Sequence, residues 1–436
     1  ELKIYRSPVV GVPVYITKTN DYKIPKKEGE TEIKFKNALK TLSFSLACLL
    51  LFSTVLYGQN YSFKNYGAEF NIPNGFVYTI NQSDNGFLWV GTGNGLARFD
   101  GFNYYNVQYP DSSIGRNPTA SLKDKKGTLW FGCSDGTVFY ARENSLIPVL
   151  LSNSKSISQI LEGPDGLIYI IPQGKAIYSV NPAKPDEIHQ YFFSVDPLMF
   201  SASFASSGIL LIGSQGNILM CSLIQDSVSV RSVIEGFDYS GVTAIHKTND
   251  TTRFIIGTED NGLFQLRISG SGNSLTRFRD HPEWATLNVK SVSEDSGHNI
   301  WVSTFGSGVI QFQLSGNPES VNSVHLYNVD TGLGSNDTKL VFQDSEGNYW
   351  FGLFSEGISM LTSYSFCYYT PGKNSIENNI LYVNRFDDKY ILGTPSGFHI
   401  FDAVSGKSVS FTNLTSEVDG APILSYYLDK DKSLWI

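Results

Sequence analysis

The residues best suited to chemistry are five aspartates that recur just before a turn glycine in separate parts of the chain. They are Asp84, Asp124, Asp165, Asp295 and Asp344. Two carboxylates that face one substrate could act as a general acid and a general base. Aspartate in a turn also accepts hydrogen bonds from the turn's own backbone, and residues spread one per repeat do not converge on one substrate. The spacing therefore predicts Asx-turn residues, not catalytic acids.

The other reactive side chains follow no catalytic or metal-binding pattern. The six histidines are His189, His246, His281, His298, His325 and His399, and none has metal-ligand spacing. The sequence has no zinc-protease, Cys-x-x-Cys or phosphate-loop motif. His281, beside Asp280 and near Glu283, is expected to be a solvated cluster. We expect no catalytic residue, no metal and no cofactor in this chain.

The elements that position these residues come from an internal repeat. Its clearest copy runs from Asp84 to Leu96, and the Trp89 position of that copy returns eight times at steps of 39 to 49 residues. This slot is filled in order by Trp89, Trp130, Tyr169, Leu211, Ile255, Trp301, Trp350, Ile391 and Trp435. A period of roughly 40–50 residues with several strands in each unit predicts an all-β fold, the β-propeller.

One unit shows how a blade is built. Residues 76–83, 87–92, 96–100 and 104–108 are rich in β-branched and aromatic residues, and turns of Asp, Asn and Gly separate them. We predict four antiparallel strands per unit. The slot residue and its successor should face opposite neighbouring blades, and the glycine after them should let a bulky residue of the next blade approach. These residues are therefore predicted core.

Nine units exceed one ring, because propellers typically close with four to eight blades. We predict that residues 60–370 form a first, seven-bladed propeller and that residues 371–436 begin a second. The segment Tyr61–Tyr66 lies where the outer strand of a preceding blade would lie. We expect it to pair with the last blade and so close the ring.

The start of the chain predicts export. Residues 1–40 are polar and basic and are not expected to belong to the fold, whereas residues 41–59 carry an uncharged apolar run after several lysines. This pattern is typical of a signal peptide; the alternative, a membrane-spanning helix, needs about 20 apolar residues. The cysteines that follow are Cys133, Cys221 and Cys367, an odd number that gives no disulfide framework. Each is expected to be a small buried residue.

Charge and loop position indicate what the chain binds. Residues 60–436 hold 24 Lys and Arg against 36 Asp and Glu without a basic cluster, which argues against nucleic acid and, short of a local basic patch, against anionic polymers. A ligand is expected at the turns between second and third strands and at the loops between blades. In the turns between second and third strands, one position varies in chemistry from blade to blade. It is occupied by Asn94, Asp135, Gln173, Gln215, Asp260, Phe305, Glu356 and Ser396.

The repeat with its lead-in resembles the two-component regulator propeller. Gly332-Leu333-Gly334-Ser335-Asn336 leads into Asp344-Ser345-Glu346-Gly347-Asn348-Tyr349-Trp350-Phe351-Gly352, and the first copy adds Ala97-Arg98-Phe99-Asp100-Gly101. These segments are similar to the family's Gly-Leu-x-x-Asn and Asp-x-x-Gly-x-Leu-Trp-hydrophobic-Gly pattern. Four units lack the tryptophan, and Ile171 replaces the glycine in one of them.

The resemblance implies the periplasmic sensor region of a membrane-spanning histidine kinase of the Bacteroidetes type. Such a region would bind a small molecule or oligosaccharide and control genes for glycan use. Membrane attachment through a segment beyond this chain and a homodimer of the full-length protein are also expected. The alternatives are an exported polysaccharide lyase or glycosidase and a structural or adhesive propeller.

Overall fold

A computed structural model describes residues 60–110, 116–142, 145–152, 154–194, 197–206, 208–270, 272–362, 367–368, 380–386, 389–395, 397–402, 407–410, 427–428 and 434–435. The predicted leader, the signal peptide and the boundary at 370/371 lie outside these residues. Short 3₁₀ helices span Ala68–Phe70, Pro282–Thr286 and Val329–Thr331. No helix in the described ranges is long and apolar enough to cross a membrane.

The described part of the chain begins with β1 (Asn60–Tyr61) and β2 (Phe63–Tyr66), which precede blades of antiparallel strands. Blade 1 is β3 (Val77–Gln82), β4 (Leu88–Thr92), β5 (Gly95–Phe99) and β6 (Tyr104–Asn106). Blade 2 is β7 (Pro118–Lys123), β8 (Leu129–Cys133), β9 (Val138–Arg142) and β10 (Ser145–Val149). Blade 3 is β11 (Ile157–Glu162), β12 (Ile168–Pro172), β13 (Ala176–Asn181) and β14 (Lys184–Phe192). Blade 4 is β15 (Ser201–Ser206), β16 (Ile209–Gly213), β17 (Asn217–Ile224) and β18 (Ser227–Glu235).

The remaining blades keep the same order. Blade 5 is β19 (Val242–Lys247), β20 (Arg253–Thr258), β21 (Leu263–Ser269) and β22 (Gly272–Arg277). Blade 6 is β23 (Asn288–Glu294), β24 (Ile300–Phe305), β25 (Val309–Leu314) and β26 (Val321–Tyr327). Blade 7 takes β27 (Thr338–Gln343), β28 (Tyr349–Leu353) and β29 (Ile358–Leu361), and β30 (Cys367–Tyr368) pairs with β1. A further sheet holds β31 (Tyr382–Phe386), β32 (Lys389–Thr394), β33 (Gly397–Asp402) and β34 (Lys407–Ser410), followed by the pair β35 (Tyr427–Leu428) and β36 (Leu434–Trp435).

Strand β2 completes the last blade of the ring. Strand β2 pairs antiparallel with β29, so that Phe63 stands opposite Leu361 and Tyr66 opposite Ile358. The seven inner strands, β3, β7, β11, β15, β19, β23 and β27, each contact the next, and β27 contacts β3. This arrangement removes the exposed sheet edge that an open ring would have. The predicted β-propeller and the predicted pairing of this strand are confirmed.

The repeated tryptophans pack blade against blade. The ring of Trp89 stacks on Phe131 of blade 2 with centres 5.6 Å apart, whereas Val90 packs on the other side, in the cluster that contains Trp350 of blade 7. A Cβ added at Gly132 would lie 2.5 Å from Ile157 Cγ2 of the next blade. The slot residues whose burial the structure describes, and their glycines, are therefore core, as predicted.

Candidate ligand-binding face and central channel

Two kinds of connection lie on one side of the ring: the turn between the second and third strands of a blade and the loop that enters its first strand. Hydrogen bonds tie them together. Asn94 Nδ2 donates to the Pro73 carbonyl at 3.1 Å, and the Gln173 amide donates to the Ser156 carbonyl at 2.8 Å. We call this side of the ring the loop face.

The predicted ligand-binding positions are distributed over the loop face, one in each blade of the ring. The exposed ones are Asn94, Asp135, Gln173, Gln215, Asp260 and Glu356, and Phe305 is 48% exposed. Ser396 lies outside the described residues. The fold thus brings these residues to one face, and their contact with a ligand stays a prediction.

Some of these side chains also hold the loop face together. Asp135 lies 3.2 Å from Arg116 Nε and accepts a hydrogen bond from the Thr137 amide at 3.0 Å. The side-chain amide of Gln215 donates to the Tyr239 carbonyl. Groups that are already bonded within the protein gain less from a ligand, since one hydrogen bond is exchanged for another.

An aromatic pair lies on the loop face where blades 6 and 7 meet. The ring centres of Phe305 and Phe354 are 5.6 Å apart at 77°, and Lys290 Nζ lies 5.7 Å from the Phe305 ring centre. Aromatic faces of this kind offer large contact area to a ligand. Sequence reasoning identified Phe305 but missed Phe354, which lies two residues before Glu356 in the corresponding turn of blade 7.

The inner strands surround a central channel, and hydroxyl groups link neighbouring blades at the loop-face end of these strands. Thr119 Oγ1 donates to the Ile157 carbonyl at 2.7 Å, and Thr243 Oγ1 donates to the Val289 carbonyl at 2.6 Å. Both threonines are the extra residue of a β-bulge in their inner strand. The bulge therefore sets which side chains reach the next blade at this end of the channel.

The opposite side of the ring carries the repeated aspartates. Asp124 Oδ1 accepts hydrogen bonds from the Lys126 and Thr128 amides, both at 2.9 Å, which confirms the predicted Asx turn. Its Oδ2 accepts a hydrogen bond from Trp130 Nε1 at 3.0 Å, which sequence reasoning missed. Equivalent bonds join Asp295 to Trp301 and Asp344 to Trp350, whereas Asp165, two residues later in its repeat, accepts a hydrogen bond from the Tyr169 hydroxyl. These carboxylates therefore form hydrogen bonds that stabilise the turns and the slot residues of their own blades.

The predicted turn role of Asp84 is wrong. Ser83 holds the corresponding turn position, because its amide donates to the Phe87 carbonyl at 3.0 Å as the aspartate amides do in other blades. Asp84 Oδ1 instead lies 2.7 Å from Lys123 Nζ of blade 2. As a result, Trp89 Nε1 is buried without a hydrogen-bond partner among the described residues.

Polar residues at the ends of inner strands also join neighbouring blades. Gln82 Oε1 accepts a hydrogen bond from the Ser345 amide at 2.8 Å, and Gln343 Oε1 accepts one from the Ser296 amide at 2.9 Å. Each acceptor lies on the blade that follows its donor around the ring. The repeated polar groups on this side therefore stabilise the ring.

The reactive groups of the described part do not form a catalytic arrangement. His246 Nε2 and His298 Nδ1 lie 3.4 and 3.1 Å from the two carboxylate oxygens of Glu294. The hydrogen bond with His246 is the main reason that the pKa of Glu294 is lowered. Burial raises the pKa of the Cys133 and Cys221 thiols to about 12, which leaves both protonated at neutral pH. No cluster of three potential metal ligands occurs in the described ranges.

His281 is more structural than the sequence predicted. Its ring stacks on that of Trp284 with centres 4.2 Å apart at 11°, and its Nδ1 lies 2.8 Å from Glu283 Oε1. Trp284 is buried, so the imidazole covers part of the core of blades 5 and 6. The expectation of a solvated cluster is therefore wrong for the imidazole.

Comparison with known proteins supports the family resemblance. Residues 71–94 match the family model described as the two component regulator propeller. The matched segment includes β3, β4 and the slot residue Trp89, so the resemblance carried by the repeat is confirmed there. A search of the curated proteins found no match.

Solved structures show the same fold. The extracellular domain of BT3049 from B. thetaiotaomicron, described as a hybrid two component system, superimposes with a TM-score of 0.67 at 20% identity, over 86% of this chain and 52% of that one. The extracellular domain of BT4673 from the same organism gives 0.54 at 16% identity, over 86% and 51%. Virginiamycin B lyase from Staphylococcus aureus gives 0.54 at 17% identity, over 70% and 100%. The chain thus spans about half the length of the first two.

Proposed function

We propose that this chain, which carries the two-component regulator propeller repeat, is a ligand-sensing region on the periplasmic side of a membrane-spanning sensor. The observation that carries the proposal is the contrast between the two sides of the ring. On the side opposite the loop face, the repeated polar groups form hydrogen bonds that hold the blades together. The loop face instead presents side chains that differ from blade to blade. A rigid scaffold with variable exposed loops is the usual arrangement of a recognition surface.

The ligand that fits the loop face best is an oligosaccharide. Sugars present hydroxyl groups and apolar ring faces, and the loop face offers exposed amides and carboxylates together with aromatic rings. Gln173 and Glu356 are exposed, and the aromatic pair Phe305 and Phe354 lies in the same face. The propeller folds of BT3049 and BT4673, both described as extracellular domains, support an extracellular ligand.

Signalling would follow from a shift between two pre-existing arrangements of the sensor. A ligand changes such an equilibrium only by binding one arrangement more tightly than the other. The ring is closed by β2 and is therefore suited to move as one body rather than to deform. Control of genes for glycan use by a kinase and response regulator is the output that this proposal assigns to the full-length protein.

The test is a binding screen of the chain against a panel of plant and animal oligosaccharides by isothermal titration calorimetry. We expect at least one saturable ligand whose affinity falls in Phe305→Ala. Phe102→Ala is the matched control, because Phe102 is 72% exposed in the β5–β6 turn on the opposite side.

Product analysis after incubation of the chain with the same oligosaccharides distinguishes a sensor from an exported lyase or glycosidase. Unchanged oligosaccharide after prolonged incubation supports the sensor. Cleavage of an oligosaccharide would show that the chain is an enzyme and would contradict the proposal. If no oligosaccharide of the panel binds, the result would favour a structural or adhesive propeller.

A further inference from the structure

The residue at the bulged position of the inner strands differs from blade to blade. It is occupied by Tyr78, Thr119, Ser158, Thr243, Lys290 and Lys339 in blades 1, 2, 3, 5, 6 and 7. The inner strand of blade 4 has its irregularity elsewhere, between Phe204 and Ser206. The two lysines therefore stand at equivalent places on adjacent inner strands, β23 and β27, which contact each other.

The fold does not require lysine at this position. In blades 2 and 5, Thr119 and Thr243 fill it and donate to carbonyls of the next blade. In blade 3, Ser158 Oγ donates in the same way to the Met199 carbonyl at 2.6 Å. A short hydroxyl is therefore sufficient to join the blades here, and the lysine side chains need another explanation.

The position of Lys339 is unfavourable for a charged side chain. Burial lowers the pKa of Lys339 to about 8, and the charge of Lys290 adds to this effect. Although the Lys339 residue keeps partial solvent contact, neither ammonium forms a hydrogen bond or an ion pair within the described residues. Two like charges that repel each other without a carboxylate between them are unfavourable in the empty protein. An anion placed between them would relieve both the repulsion and the loss of solvation.

The surroundings indicate what carries the anion. Lys290 Nζ lies 5.7 Å from the ring centre of Phe305, and Phe305 contacts Phe354. Both rings lie on the loop face, where the inner strands β23 and β27 begin. A ligand that combines an anionic group with an apolar ring face would contact the lysines and the aromatic pair together.

We propose that Lys290 and Lys339 bind the carboxylate or sulfate group of an acidic sugar at the loop-face end of the channel, with Phe305 and Phe354 contacting the sugar ring. The inference rests on the proposed function and narrows its ligand class. It also limits the charge argument from the sequence, since the net negative charge of the chain does not exclude a local cationic site.

Three hexoses that differ only at C6 test the proposal: galactose, galacturonate and galactose 6-sulfate. Titration calorimetry of the chain should show that at least one acidic sugar binds about tenfold more tightly than galactose, as expected for a charge-assisted contact. Lys339→Thr and Lys290→Thr place the residue that blades 2 and 5 already use, so both variants should fold. Each should lose that preference, and Lys339→Arg should keep it.

Lys175→Thr is the control for net charge, because Lys175 is exposed on the loop face in blade 3. It should bind all three sugars as the original chain does. Equal binding of galactose and both acidic sugars, or acidic-sugar binding unchanged in both lysine-to-threonine variants, would overturn the proposal. If the chain shows no preference for an acidic sugar but still binds a neutral oligosaccharide from the panel, this inference is wrong and the proposed sensor function is retained. Melting temperatures of the variants separate lost binding from lost folding.

Discussion

Trp130 Nε1 donates a hydrogen bond of 3.0 Å to Asp124 Oδ2, six residues earlier in the chain. The same spacing joins Trp301 to Asp295 at 2.9 Å and Trp350 to Asp344 at 2.8 Å. Each bond satisfies a buried indole and fixes the first turn of its blade. In blade 1 the position six residues before the tryptophan is Ser83, which makes no such bond with Trp89.

Ser83→Asp should therefore stabilise the chain. The new carboxylate would supply the acceptor that Trp89 Nε1 lacks, and a hydrogen bond of this kind contributes about 1 kcal/mol. The reciprocal variant Asp124→Ser should destabilise by about 1–3 kcal/mol, because it leaves Trp130 Nε1 buried and unpaired. Urea unfolding of both variants measures the two signs. A loss of stability in Ser83→Asp would contradict the assignment of Ser83 to the aspartate position.

Asp295 should make the stability of the ring depend on pH in acid. Its Oδ2 accepts hydrogen bonds from Trp301 Nε1 and from the Tyr349 hydroxyl of blade 7, both at 2.9 Å. Burial alone would raise the pKa of this carboxyl, but these bonds and those of Asn299 lower it below its ordinary value. The contribution of the Asp295 carboxylate to folding stability is therefore complete above about pH 4, and it is lost as the pH falls through the lowered pKa. The melting temperature of Asp295→Asn should lie below that of the original chain at pH 7, and the difference should shrink near pH 3. A difference independent of pH would contradict this role.

Gly132→Ala should destabilise the contact between blades 2 and 3. The added Cβ would lie 2.5 Å from Ile157 Cγ2 and 2.7 Å from Ile157 Cβ, a branched side chain that is itself buried. Overpacking of this kind costs about 1–3 kcal/mol. Gly316→Ala is the control, since a Cβ at Gly316 meets no atom within 4 Å. Equal unfolding midpoints of the two variants in urea would show that the close approach is unimportant.

Tyr66→Ala tests the closing strand. Tyr66 is 2% exposed, and its ring centre lies 4.9 Å from that of Phe99 and 5.8 Å from that of Trp350. Removing a buried aromatic side chain costs about 3–5 kcal/mol. We expect a single unfolding transition at lower urea, because loss of the closing contact weakens the whole ring. Leu150→Ala, at an 84% exposed position, should leave the midpoint unchanged. An unchanged midpoint in Tyr66→Ala would mean that β2 adds little to ring stability.

Much of the fold could be predicted because the repeat carries it. A tryptophan slot, a glycine two residues later and turns between strands recur at a period that only a few folds share. Closure by β2 was also predictable, because Tyr61–Tyr66 has strand character before the first complete unit. The domain boundaries assigned from the sequence stay predictions.

The errors and omissions have physical causes. Asp84 was matched to the other aspartates by residue type, whereas it lies five residues before Trp89, and Asp124, Asp295 and Asp344 lie six residues before their tryptophans. The lysine pair at Lys290 and Lys339 was missed because a β-bulge changes which side of a strand a residue faces. Alternation along the strand therefore gives no orientation at that position, and the sequence does not show that the two lysines stand on adjacent strands.

Ligand binding at the loop face can be measured by hydrogen exchange of the chain with and without an oligosaccharide selected by the binding screen. We expect slower amide exchange in the loop-face turns, at 93–95, 134–136, 259–262, 305–308 and 354–357. The first turns on the opposite side, at 124–128, 295–299 and 344–348, should exchange at an unchanged rate. Protection confined to the opposite side would contradict the claim that the loop face is the ligand-binding surface of this propeller.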